Sequence, residues 1–84
     1  MKPVRLSAHA REQARFRGTT EAEMASAVTD GVRAPALRGR IEARKTFAYD
    51  AEWNGKHYDL KQVRPVFVDE PNEIVVITVY TYYF

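Results

Sequence analysis

The chain has 84 residues, 45% of them apolar, and a formal net charge of +2, which describes one globular domain with a modest core. No apolar run is long enough to span a bilayer, and the stretch from Met1 to Ser7 has no apolar signal region after its positive charge, so a cytoplasmic protein is expected, with no membrane partner. Cys is absent, which excludes disulfides, thiolate nucleophiles and cysteine-ligated zinc.

The charge is unevenly spread. Residues 1–45 carry ten Lys/Arg against five Asp/Glu, and residues 46–84 carry three against six. The basic half suits a polyanion, or else an Arg-rich, well-solvated surface.

Pro3-Val4-Arg5-Leu6 alternates and reads as a short edge strand, expected beside the last strand. Ser7 is a good N-cap for a helix over Ala8–Phe16, and Gly18 ends it. His9, Gln13, Phe16 and Arg17 fall on one mixed stripe of that helix. Thr20-Glu-Ala-Glu23 is a capping box that opens a second helix, Glu21–Thr29, with Met24, Ala25, Ala27 and Val28 on its apolar side. Gly31 is the expected stop. The connection from 31 to 40 contains Gly, Pro and three arginines (Arg33, Arg38, Arg40). It is expected to be irregular, either functional or a solvated crossover.

From about Glu42 the period changes to two. Asn54-Gly55 is a strong type I′ hairpin signal. The return strand starts at Lys56, with a bulge expected near Lys61–Gln62 or a break near Pro65. Val66-Phe67-Val68 resumes it. The final stretch, Ile74–Phe84, is built of β-branched and aromatic residues with no Gly, Pro or charge. It reads as a central strand with Val75, Ile77 and Val79 on one face. Ile74, Val76, Thr78, Tyr80 and Tyr82 fall on the other. The expected order is β-α-α-β-β-β, an α+β fold with two helices packed on an antiparallel four-stranded sheet.

The chain has no Gly-rich phosphate loop, no H-E-x-x-H and no nucleophile elbow. His9 and His57 have no evident third ligand, so neither a metal nor another cofactor is expected. The remaining groups are His9, which the dipole of a helix N-terminus would keep neutral, Arg17 on the same stripe, Lys61 and Arg64 in the sheet, and Thr78 and Tyr80 on the last strand. Attack by an RNA 2′-OH needs only such groups: a base, cations for the phosphorane charge and an acid for the leaving oxygen. A half-wet sheet face and a capping His account for the same residues without chemistry.

Ser7-x-His9-Ala10, Gln13 and Arg17-Gly18 at one end, Ile77-Thr78-Val79-Tyr80 at the other, and the Trp53-Asn-Gly-Lys56 hairpin between them resemble a small bacterial domain-of-unknown-function family. That family is grouped with RelE-, ParE- and BrnT-like toxins, and the resemblance spans nearly the whole chain. It implies a RelE/barnase-like fold and a metal-independent endoribonuclease, the toxin of a toxin–antitoxin pair. Its partners would be RNA, free or ribosome-bound, and a cognate antitoxin. By position it implies catalytic roles for His9, Arg17, Thr78 and Tyr80. RelE-type enzymes end with a C-terminal segment supplying Arg and Tyr beyond the last strand, whereas this chain stops at Phe84 with no basic tail. Lys61 and Arg64, with Arg38 and Arg40, are the candidates to bind RNA in their place. Tyr82 or Trp53 would stack bases.

Two other classes fit the same fold. One is a ParE-like binding module with a protein target. The other is a self-associating protein, a homodimer formed through the aromatic end or through an open edge at Val4–Leu6 or Val66–Val68.

Overall fold

The computed structural model describes residues 2–84. The elements are β1 (Val4–Leu6), α1 (Ala8–Arg17), α2 (Glu21–Asp30), β2 (Val32–Pro35), a 3₁₀ turn (Leu37–Gly39), β3 (Ile41–Trp53), β4 (Lys56–Asp69) and β5 (Ile74–Tyr83). No helix among them is long and apolar enough to cross a membrane.

The α+β class and the two helices stand as expected, but the sheet differs. It has five strands in the order β1-β5-β4-β3-β2. It is also mixed, because β1 runs parallel to β5 over Ile74–Val76 while the other pairs are antiparallel. The fifth strand comes from the connection expected to be irregular. Val32–Pro35 pairs with Ile41–Arg44 as a short outer strand, where Pro35 is tolerated because it sits on the sheet edge.

Both helix starts follow from local chemistry. The Ser7 hydroxyl accepts the Ala10 amide at 3.1 Å. The Thr20 hydroxyl accepts the Glu23 amide, and the Glu23 carboxylate accepts the Thr20 amide. Gly31 is needed for space rather than for handedness: its φ is −76°, but a Cβ there would lie 2.6 Å from the Arg44 carbonyl oxygen.

The helices cover one face of the sheet. Ala10 and Ala14 of α1, with Met24 and Val28 of α2, pack on Ala43, Val63, Phe67, Val76 and Val79. Burying each larger side chain of this set contributes about 1.5–3 kcal/mol.

Two irregularities decide which side chains face out. The β4–β5 register shifts between Val66 and Phe67, which leaves Ile77 as an extra residue. Ile74 and Val76 therefore share the helix-covered face with Val79, not with Thr78 and Tyr80 as strict alternation predicts. Pro65 causes no break: β4 is continuous, and the β3–β4 ladder skips Ala43–Arg44 opposite Arg64–Pro65, so the missing N–H falls in that gap. The expected bulge near Lys61–Gln62 lies instead on β3 between Ala48 and Ala51, where Asp50 has φ 47°. Asn54 and Gly55, at φ 52° and 82°, form the expected hairpin turn.

Candidate nucleic-acid interface

The face of the sheet opposite the helices carries Thr78, Tyr80 and Tyr82 of β5. Their partners across the ladder are Val66, Arg64 and Gln62 of β4. Glu42, opposite Val66 on β3, continues the same row. Tyr80 and Tyr82 are exposed, and Arg64 is half-buried.

Arginines lie over these rings. The Arg64 guanidinium sits 4.8 Å from the Tyr82 ring centroid, and its Nε donates to the Gln62 side chain at 2.8 Å. Arg17, at the C-terminal end of α1, places its guanidinium 5.7 Å from the Tyr80 centroid. It can do so because, among the described residues, β5 has no strand neighbour on its outer side beyond Val76, and α1 packs along it there. The result is two successive Arg–Tyr pairs on one open surface.

The 3₁₀ turn borders this surface. Between the turn and the sheet lies a groove of about 430 Å³ whose lining includes Leu37, Arg38, Arg40, Glu42, Thr78 and Tyr80. Arg38 holds a left-handed backbone conformation, φ 61°, a strained state for a non-glycine residue that is often found at functional surfaces. Among the described residues, neither Arg38 nor Arg40 has an ion pair, so both charges are free to meet an anion.

The candidates from the sequence separate into two groups. Arg17, Thr78, Tyr80, Arg64, Arg38 and Arg40 converge on this face. His9 and Lys61 do not belong to it. His9 is exposed on α1, and its side chain has no hydrogen bond or ion pair among the described residues. Lys61 lies on the opposite, helix-covered face and is buried. Its ammonium donates to the Gly18 carbonyl at 3.0 Å and to Glu23 at 2.9 Å. A surface role in RNA binding is therefore corrected to an internal ion pair. Burial acts most strongly on the Glu23 carboxyl and would raise its pKa. The hydrogen bonds and charge of Lys61, with the Thr20 amide and Thr19 hydroxyl, outweigh burial and hold it below the usual carboxylate range.

Trp53 is likewise no open platform. It stacks on Tyr83 at 5.0 Å, and Tyr49 and Tyr58 pack around the same ring. The Tyr83 hydroxyl donates to the Arg17 carbonyl at 2.6 Å. Burial, then the neighbouring Tyr49 and Glu23, push its pKa up to about 12.

A second polar cluster sits at the tip of the β3–β4 hairpin. His57 Nε2 lies 2.8 Å from Asp50, and Nδ1 lies 3.8 Å from Asp59. All three are exposed, and both ring nitrogens face carboxylates. The ligand atoms of the three side chains all lie within 4.8 Å of one another.

Residue type alone did not single out Glu42. The alternation of β3 places it on the same face as Arg44 and Thr46, and the register with β4 brings it to Tyr80's groove. Compared with protein-family models, curated proteins and solved structures, the chain matches none of them.

Proposed function

We propose that the open face of the sheet binds single-stranded RNA. The observation that carries this reading is the pair of cation–π contacts, Arg17 over Tyr80 and Arg64 over Tyr82. Exposed rings offer a π-face to any base, and guanidinium groups beside them neutralise the phosphates that follow. Arg38 and Arg40 extend the same positive surface along the groove.

A second step is favoured by one further observation: Thr78, Tyr80, Arg38 and Arg40 line one groove, and Arg17 lies over the ring of that Tyr80. That set fits a RelE-like, metal-independent endoribonuclease of the toxin type. The arginines would stabilise the phosphorane charge, and Thr78 would position the 2′-OH. As the 2′-oxygen–phosphorus bond forms and the 5′-oxygen–phosphorus bond breaks, the 2′-OH proton would pass to water. The leaving 5′-oxygen would take a proton from the Tyr80 hydroxyl, which water restores. In this reading His9 is not the base, because its side chain stands apart on α1 without a partner among the described residues. The proposed partners are an RNA strand and, in the toxin setting, a cognate antitoxin that covers the face.

One experiment separates the two steps. Purified protein is mixed with labelled single-stranded RNA in EDTA, and both binding and strand integrity are followed. Tyr82→Ala is expected to weaken binding about tenfold, the contribution of one stacked base. Discrete cleavage abolished by Tyr80→Phe but retained in His9→Ala supports the nuclease step. Binding with intact RNA, with and without ribosomes, leaves an RNA-binding module. Absence of binding rejects the proposal.

A further inference from the structure

Glu42 is the one carboxylate lining a groove that also holds Arg38 and Arg40. It is half-buried, and its side chain makes neither an ion pair nor a hydrogen bond among the described residues. Its backbone is pinned on both sides, opposite Ala34 of β2 and Val66 of β4. A free carboxylate inside a phosphate-binding groove repels phosphate. Whatever touches it must donate hydrogen bonds.

We propose that Glu42 reads a base, making the groove beside Tyr80 a subsite that prefers guanine and disfavours uracil. The inference rests on the RNA-binding reading above. Guanine presents N1–H and N2–H side by side, spaced for the two oxygens of one carboxylate. Adenine and cytosine present one amino group beside an acceptor nitrogen, so only one bond forms. Uracil presents a single N–H between two carbonyl oxygens, both repelled by the carboxylate. Tyr80 supplies a face for the base to stack on. Arg38 and Arg40 take the flanking phosphates, so the same groove separates backbone contacts from base contacts.

The test uses the full chain and labelled 2′-fluoro hexanucleotides, which bind but cannot be cut by 2′-OH attack. One is all uridine, and the others carry a single guanosine, adenosine or cytidine. Fluorescence anisotropy is expected to show guanosine favoured over uridine about tenfold or more, the discrimination of one bidentate contact. Glu42→Gln, checked for folding by circular dichroism, should bind the all-uridine strand as tightly as the wild type or more tightly, with the guanosine preference reduced severalfold. Equal affinity for all four strands, or a preference that survives Glu42→Gln, overturns base reading while RNA binding stands. Failure of every strand to bind overturns both.

Discussion

The Lys61 ammonium has a side-chain exposure of 6% and is held by Glu23, itself 22% exposed. Buried charges of this kind cost much when one partner is lost, because the other is left without compensation. Lys61→Met is expected to destabilise the fold by about 3 kcal/mol, and Glu23→Leu combined with Lys61→Met by clearly less than the two single losses added. Denaturant midpoints read from the single Trp, Trp53, measure this directly. The pair also sets an acid limit. Because folding lowers the pKa of Glu23, its contribution is complete above the unfolded value of about 4.3 and disappears as pH falls through the folded one. The midpoint should drop as pH falls below the unfolded value of about 4.3 and through the lower folded one, and the drop should be smaller in Glu23→Gln. An equal drop in both proteins would show that the pair does not govern acid stability.

The C-terminal end of α1 is locked by an aromatic cluster, and Gly18 is what allows the close approach. Gly18 has φ 73°, and a Cβ there would fall 2.4 Å from Trp53 and 2.6 Å from the Tyr83 hydroxyl. Gly18→Ala is therefore expected to cost about 1–3 kcal/mol and to change the Trp53 emission spectrum as the stack is forced apart. Tyr83→Phe removes the hydroxyl that donates to the Arg17 carbonyl. Since folding raises this phenol to about 12, its stabilising effect is whole below its unfolded pKa of about 10 and is lost as pH rises through the folded value. The wild type should weaken over that window, and Tyr83→Phe should weaken less. Local chemistry of this kind was legible in the sequence: Ser7, Thr20, Glu23, Gly18 and Asn54-Gly55 each do in the fold what their residue types predict. Features set by pairing were not. The extra residue at Ile77 depends on how β5 meets β4, and β2 exists because Val32–Pro35 finds an open edge of β3. For the same reason Lys61 and Arg64 looked alike in sequence. Parity along β4 sends Lys61 under the helices and Arg64 into the open, where it meets Tyr82.

Across the whole molecule the sheet divides the cations by role. Arg17, Arg38, Arg40 and Arg64 gather around two exposed tyrosines. Arg11 and Arg15 line a separate groove in the helical layer with Ala14, Thr19 and Met24. Apart from Glu42 in the groove, carboxylates lie away from these tyrosines, at the hairpin tip (Asp50, Asp59) and beside β1, where Glu73 pairs with Arg5 and Asp69 with Lys2. A net charge of only +2 therefore conceals a concentrated positive field. If about four phosphates are neutralised on the open face, the logarithm of affinity should fall against the logarithm of salt with a slope near −3, a loss of about fiftyfold from 50 to 200 mM. Arg40→Gln should flatten that slope by about 0.7, since it removes one phosphate contact from a single strand. Arg15→Gln changes the net charge equally but acts on the other side of the molecule, and it should leave the slope nearly as it is. Anisotropy titrations at four salt concentrations decide between the faces. Equal flattening by both substitutions would mean that RNA responds to overall charge, and the open face would lose its claim to be the binding surface.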